Sequence, residues 1–204
     1  MSTIIVIAKA PLPGRVKTRL SPACTPAQAA ELAEASLADT LAAVASCGPD
    51  RAVVALDGPP GAWLPDGFEV VAQRGAGLGE RLAAAFEDTG GPALVVGMDT
   101  PQLTPGLLRA GLGAPCALGL AADGGWWALS LPGPDARVFA GIPMSADDTG
   151  ARQRSRLQAL GYAPVALPVL RDVDTIADAH RVAALAPGSR FAATLLAMDL
   201  EAAA

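Results

Sequence analysis

Short apolar runs alternate with stretches of helical periodicity along most of this chain. The apolar runs predict seven strands, at residues 3–8, 52–57, 68–72, 93–97, 116–121, 126–131 and 163–168. The helical stretches predict six helices, at residues 26–47, 79–88, 105–112, 150–160, 176–186 and 189–200. Strands that alternate with helices are typical of βαβ units, so we expect an α/β fold with a largely parallel central sheet.

The ends of several elements carry local signals. Thr25 and Gln28 predict a capping box at the start of the first helix, and Gly48-Pro49 predicts its end. The Ala-Asp-Gly-Gly segment 122–125 is a turn signal between two strands, and it predicts a hairpin or a change of strand direction. The sheet is therefore expected to be mixed.

The chain has no internal repeat and no segment long enough to link two domains. Its loops at 57–67 and 132–149 are rich in Gly, Pro and Asp, but both are short. A chain of 204 residues can form one α/β domain with a complete core. We therefore interpret residues 1–204 as a single domain.

Composition limits the class of protein. Hydrophobic residues make up 51% of the chain and charged residues 17%, which indicates a folded protein. The net charge of −5 argues against nucleic-acid binding but not against a small nucleotide. No signal peptide or bilayer-spanning stretch is visible, and three scattered cysteines form no disulfide framework. We expect a cytoplasmic protein, without a membrane partner, that is a monomer or a homodimer.

Positive charge is concentrated directly after the first strand. Residues 8–20 contain four cations around a turn at Pro13-Gly14, and these cations are Lys9, Arg15, Lys17 and Arg19. Glycine lets backbone N–H groups approach a ligand, and the cations neutralise oxygens, so the segment fits a polyphosphate. A solvated basic loop is the alternative.

A second candidate segment, residues 97–103, follows an apolar run that is typical of a central parallel strand. Ligands of open α/β sheets bind at the carboxyl ends of the strands, where Asp99 is expected. A carboxylate there suits Mg²⁺ that is shared with phosphate oxygens. Asp99 could instead cap the next helix, although Thr104 is the better cap.

Two further acidic loops follow later strands, with the sequences Asp123-Gly124-Gly125 and Asp172-Val173-Asp174-Thr175. If these strands run parallel to the first, Asp99, Asp123 and Asp174 face the basic loop. Carboxylates opposite Lys and Arg make a phosphate-transfer site. Each loop alone is a weak signal, because Asp-Gly-Gly is commonly a plain turn and Asp174 could stabilise a helix N-terminus.

A glycine-rich segment at residues 73–81 opens the helix 79–88, but its glycine spacing does not fit a dinucleotide fingerprint. We interpret it as a loop close to the base or ribose of a ligand, with a flexible turn as the alternative. Trp126 and Trp127 are adjacent on a strand and face opposite sides. One is therefore expected in the core and the other beside an acceptor pocket.

Four segments, in this order, resemble the DUF2064 family. They are Lys-x-Pro-x-x-Gly-x-x-Lys-Thr-Arg-Leu (9–20), Gly-x-Asp-x-Pro-x-Leu (97–103), Asp-Gly-Gly (123–125) and Asp-Val-Asp-Thr (172–175). Members are usually labelled glycosyltransferase A-like or nucleotide-diphospho-sugar transferase-like. The chain is also similar, more distantly, to phospholactate guanylyltransferases and other small nucleotidylyltransferases. The resemblance implies a GT-A-like (Rossmann-like) fold with helices on both faces, a nucleotide site near the first strand, and a divalent metal on Asp99.

The chain departs from the family pattern at two places. Gly77 stands where the glycine-rich loop usually has Asp, and Trp126 and Trp127 replace two tyrosines. Contacts made by that Asp or by the phenol hydroxyls in the family cannot be carried over to this chain.

These arguments together predict the residues of one site. The predicted catalytic residues are Lys17, Asp99 and Asp123. The predicted nucleotide-binding residues are Lys9, Gly14, Arg15, Lys17, Arg19, Gln73, Gly75, Leu78 and Gly79. The predicted ligands of Mg²⁺ or Mn²⁺ are Asp99, Asp123 and Asp174, and the predicted acceptor-binding residues are Gly124, Gly125 and Trp126.

Three functions are compatible with this site. A nucleotidylyltransferase would move a nucleoside monophosphate from a triphosphate to a small phosphorylated acceptor and release pyrophosphate. A glycosyltransferase would use a nucleoside-diphosphate sugar as donor. A non-catalytic nucleotide-binding protein is the third possibility. The density of cations after the first strand favours the triphosphate, whereas the family label favours the sugar nucleotide.

Overall fold

Seven strands and six α-helices lie within residues 1–198, the part of the chain that the computed structural model describes. The strands are β1 (Thr3–Lys9), β2 (Arg51–Asp57), β3 (Glu69–Ala72), β4 (Ala93–Val96), β5 (Ala117–Ala121), β6 (Trp126–Leu131) and β7 (Val165–Leu170). The helices are α1 (Pro26–Cys47), α2 (Leu78–Thr89), α3 (Pro105–Leu112), α4 (Thr149–Ala159), α5 (Ile176–Leu185) and α6 (Arg190–Ala197). Two short 3-10 turns that the sequence analysis does not predict are Thr18–Leu20 and Ala136–Val138.

Every predicted strand and helix is present. Thr25 and Gln28 form the predicted capping box, and Gly48 ends α1 in a left-handed conformation with a φ of 68°. The largest difference is in the last helix, which the prediction extends to residue 200, whereas α6 ends at Ala197. Residues 199–204, which include the end of that prediction and of the predicted domain, lie outside the described residues.

The strands form one sheet in the order β3-β2-β1-β4-β6-β5-β7. β6 is antiparallel to its neighbours β4 and β5, and all other neighbours are parallel. The mixed, mostly parallel sheet is therefore confirmed, and residues 122–125 form the turn of the β5–β6 hairpin. Because β1, β4, β5 and β7 run in the same direction, the loops that follow them leave the sheet at one edge.

Helices cover both faces of this sheet, as expected. α1 and α3 pack on one face through Leu37 and Leu108, and α2 and α4 pack on the other through Phe86 and Leu157. Each such side chain contributes roughly 1.5–3 kcal/mol by its burial. The outer side of α1 packs against α5 and α6, where Phe191 is fully buried. Although α1 is thus apolar on two sides, none of the described helices has the length and apolar character that crossing a bilayer requires.

Candidate active site

A cleft of about 820 Å³ lies at the edge of the sheet where β1, β4, β5 and β7 end. Most of the predicted site residues line it, and these are Lys9, Arg15, Lys17, Arg19, Gln73, Leu78, Asp99, Asp123, Gly125, Trp126 and Asp174. The predicted residues that do not line it are Gly14, Gly75, Gly79 and Gly124. The fold thus brings the basic loop and the three acidic loops, which are distant in sequence, to one cleft.

The basic loop after β1 owes its shape to two left-handed residues. Gly14 has a φ of 76° and lies in the turn, and it does not line the cleft. Lys17 has a φ of 49° and a ψ of 35°, a backbone conformation that is uncommon for a residue with a long side chain. The Lys17 side chain is only 6% exposed, whereas Arg15 and Arg19 are exposed at the cleft.

Lys17 ties the basic loop to two acidic loops. Its Nζ atom lies 2.6 Å from Oδ1 of Asp99 and donates a hydrogen bond to the backbone oxygen of Val173. The backbone N–H of Val173 in turn donates to the carbonyl oxygen of Asp99 at 3.0 Å. Arg19 and Asp174 form a second tie, with 3.0 Å between Nη1 and Oδ2. In this arrangement the Lys17 ammonium binds protein oxygens, and its contact with a phosphate stays a prediction.

Asp172 is a cleft residue that the sequence analysis misses. Burial and the charges of Asp99 and Asp123 raise the pKa of Asp172 to about 7, and the Lys17 ammonium opposes this rise only in part. Its Oδ1 atom is buried and has no hydrogen-bond partner among the described residues. Both carboxylates of the Asp-x-Asp segment line the cleft, and packing separates them by burial, since Asp174 is 35% exposed and pairs with an arginine.

The cleft has carboxylate oxygens of the kind that Mg²⁺ and Mn²⁺ prefer. Asp99 is 43% exposed, and no hydrogen bond from the described part of the chain reaches Oδ1 of Asp172. Within residues 1–198, however, no three His, Cys, Asp or Glu side chains are arranged to hold a metal ion together. The predicted trio of Asp99, Asp123 and Asp174 does not form such a group. Asp99 and Asp172 thus fit a divalent cation as part of its ligand set.

The glycine-rich segment before α2 is held by close packing. Nε2 of Gln73 donates to the backbone oxygens of Ala8 and Ala55 at 2.8 and 2.9 Å. Gly75 has a φ of 124°, and a Cβ atom there would lie 2.6 Å from a side chain of α2. A Cβ atom on Gly79 would lie 3.2 Å from a backbone oxygen. Their predicted contacts with a nucleotide stay predictions, and only Gln73 of the three lines the cleft.

Gly124 lies beside the cleft, where its turn packs against the start of α4 and the residues before it. It has a φ of 92°, and a Cβ atom there would lie 1.7 Å from the backbone oxygen of Asp147. Its own backbone oxygen accepts from the N–H of Gly150 at 2.8 Å, at the start of α4. Only glycine permits this approach. Asp123, on the same turn, is exposed and accepts at Oδ1 from the N–H of Gly125 at 2.9 Å.

The two tryptophans divide as the alternation along a strand predicts. Trp127 is fully buried, and its Nε1 donates to the backbone oxygen of Pro168 at 3.0 Å. Trp126 is half-buried and lines the cleft. Its position agrees with the predicted place of an acceptor, and its role there stays a prediction.

Two more cleft residues are absent from the sequence-based predictions. Arg81 lines the cleft and pairs through Nη1 with Oδ2 of Asp57 at 2.8 Å. Thr100 is buried beside Asp99, and its Oγ1 has no hydrogen-bond partner within residues 1–198. Arg81 ends the glycine-rich segment and lies one turn into α2. A cation at such a position is a signal that could have indicated this residue. Nothing in the sequence distinguishes Thr100 from an ordinary core threonine.

The sheet order, the antiparallel β6 and the cleft at the strand ends define the fold of nucleotide-diphospho-sugar transferase-like proteins. Residues 28–146 match a family described as an uncharacterized protein conserved in bacteria (DUF2064). The chain belongs to this family. The match includes Asp99 and the Asp-Gly-Gly turn, whereas the basic loop and Asp172 lie outside it.

Solved structures are similar over nearly the whole chain. A proposed nucleotide-diphospho-sugar transferase from Desulfovibrio desulfuricans G20 is 26% identical, with a TM-score of 0.87 over 97% of this chain and 95% of that one. A nucleotidyl transferase from Methanothermobacter shares the fold at 16% identity, with a TM-score of 0.60 over 89% and 95%. Rv0371c from Mycobacterium tuberculosis, in complex with manganese, shares it at 24% identity, with a TM-score of 0.55 over 89% and 96%. Comparison with curated protein sequences gives no match.

Proposed function

We propose that this protein is a metal-dependent transferase that acts on a nucleotide. Its reaction would move a nucleoside monophosphate from a nucleoside triphosphate to a small phosphorylated acceptor and release pyrophosphate. The observation that carries this proposal is the single cleft lined by Lys9 and Arg15 on the basic loop and by Asp99 and Asp172 on the acidic loops. Fold similarity to structures described as nucleotidyl and nucleotide-sugar transferases supports the same class.

The cations of the basic loop would bind the triphosphate. Arg15 and Arg19 would neutralise the β- and γ-phosphates, and Lys9 would bind the α-phosphate or the acceptor. An oxygen of the acceptor phosphate then attacks the α-phosphorus, and the bond from that phosphorus to the bridging oxygen breaks, so that pyrophosphate leaves. Catalysis of this kind depends on positioning and charge neutralisation, and it needs no covalent intermediate.

The acidic loops would hold the divalent cation. Asp99 is its principal ligand in this proposal, and a second oxygen comes from Asp172, Asp123 or Asp174. When bound, Mg²⁺ or Mn²⁺ would supply charge neutralisation at the phosphate oxygens. Lys17 contributes through Asp99, whose carboxylate it contacts.

Glycosyl transfer from a nucleoside-diphosphate sugar is the second candidate. The 26% identical structure is described as a proposed enzyme of that kind. Asp123 is exposed beside Trp126 at the cleft, where a carboxylate could bind or activate an acceptor hydroxyl.

A thermal-shift panel separates the two candidates. Nucleoside triphosphates and diphosphate sugars would each be tested with Mg²⁺, with Mn²⁺ and with EDTA, because a ligand of the native state raises the melting temperature. The largest metal-dependent shift should come from a triphosphate. A larger shift with sugar nucleotides would favour glycosyl transfer, and a panel without any shift would contradict both.

Arg15→Ala tests the phosphate-binding role of the basic loop. It should weaken binding of the best triphosphate by about tenfold in titration calorimetry, because a charge-assisted hydrogen bond is lost. Arg109→Ala is the matched control, since Arg109 is exposed on α3 outside the lining of the cleft. Equal affinities for both variants and the wild type would remove Arg15 from the site.

A further inference from the structure

Lys17 is the one non-glycine residue with a positive φ within residues 1–198. This strained backbone turns a long cationic side chain inward, so that only 6% of it is exposed. Its ammonium is bound between Oδ1 of Asp99 and the backbone oxygen of Val173. Burial of an ammonium costs free energy unless charged or hydrogen-bonding partners replace the lost water. A lysine that served only to attract phosphates would gain nothing from such burial.

The ammonium lies beside the residue on which the proposed function places the metal. Asp123, Asp172 and Asp174 line the same cleft as Asp99, so negative charge is concentrated here. Lys17 is the buried cation that balances this charge. A divalent ion on Asp99 alone would therefore stand a few ångströms from a fixed positive charge, and the two cations repel each other.

Within residues 1–198 the protein does not present a complete set of ligands for a metal. No three acidic, His or Cys side chains of the described residues are grouped to hold an ion, whereas Mg²⁺ demands six oxygen ligands in octahedral geometry. Phosphate oxygens can supply the missing ligands, and their negative charge offsets the repulsion from Lys17.

We propose that the Lys17 ammonium is a built-in counter-ion of Asp99, so that the protein takes up its divalent cation together with nucleotide phosphates and not on its own. This inference rests on the proposed function, since it assumes that Asp99 is a metal ligand. It makes Lys17 a positioning residue that sets the order in which metal and nucleotide bind.

The test measures Mn²⁺ binding without nucleotide, by the loss of the free Mn²⁺ signal in electron paramagnetic resonance. Lys17→Met keeps the length of the side chain and removes its charge, and it should bind Mn²⁺ on the order of tenfold more tightly than the wild type. Lys17→Arg should bind as weakly as the wild type. Arg109→Met, which removes an exposed charge outside the cleft, should also leave the affinity unchanged, and Lys17→Met with Asp99→Asn should lose the gain.

Two results would overturn the inference. One is a Lys17→Met variant that is folded by circular dichroism and binds Mn²⁺ no more tightly than the wild type. The other needs no variant: equal Mn²⁺ affinities of the wild-type protein with and without a triphosphate would contradict the inference. The proposed function fails separately, if no triphosphate or sugar nucleotide binds the wild type with metal present.

Discussion

Replacing Asp172 by Asn should stabilise the protein near pH 8 and change its stability little near pH 4. In the folded protein the pKa of Asp172 is about 7, whereas in the unfolded chain it returns to about 4. Between these values the unfolded chain loses the proton and the folded protein keeps it, so the free energy of unfolding falls as the pH rises. About three pKa units at about 1.4 kcal/mol each give an upper limit of about 4 kcal/mol at pH 8.

The Asn side chain has no charge at any of these pH values and avoids this penalty. Part of the gain is lost, because a buried amide also needs hydrogen-bond partners, and we expect a net stabilisation of roughly 1–3 kcal/mol at pH 8. The assay is urea denaturation in EDTA at several values between pH 4 and pH 8. Asp174→Asn is the control, and loss of its partly exposed pair with Arg19 should lower stability by only about 0–1 kcal/mol.

The reasoning about Asp172 is wrong if Asp172→Asn is less stable than the wild type at pH 8. It is equally wrong if the difference between the two proteins stays constant across this pH range, because a buried carboxyl must produce a difference that grows with pH.

Three further predictions concern the turn, the tryptophans and the metal. Gly124→Ala should lower the free energy of unfolding by roughly 2–4 kcal/mol, because its Cβ atom would overlap a backbone oxygen. Gly133→Ala is the control and should have little effect, because a Cβ atom there would have no atom of the described residues within 4 Å. Trp127→Phe should lower the free energy of unfolding by about 1–3 kcal/mol, because the hydrogen bond to β7 is lost, and Trp126→Phe should lower it less. Equal losses in urea denaturation would contradict the assignment of Trp127 to the core and Trp126 to the cleft. Asp99→Asn should abolish the Mn²⁺ dependence of nucleotide binding in calorimetry, and a normal metal response would exclude Asp99 as a ligand.

The sequence alone determined the elements and their general arrangement. Each apolar run is long enough for one strand, and local signals such as the Thr25 capping box set the ends of helices, because capping depends on residues only three positions apart. The basic loop and the acidic strand ends were also visible, since parallel strands bring their carboxyl ends to one edge.

The tertiary structure alone decided how the charges pair. The alternation around Asp172 and Asp174 cannot show which carboxylate is buried, because burial depends on loops that are distant in sequence. The same holds for Lys17, whose side chain is of a type that binds phosphates but whose ammonium contacts Asp99. Pattern and propensity act over a few residues, whereas burial, ion pairing and ligand geometry depend on distances that only the folded chain fixes.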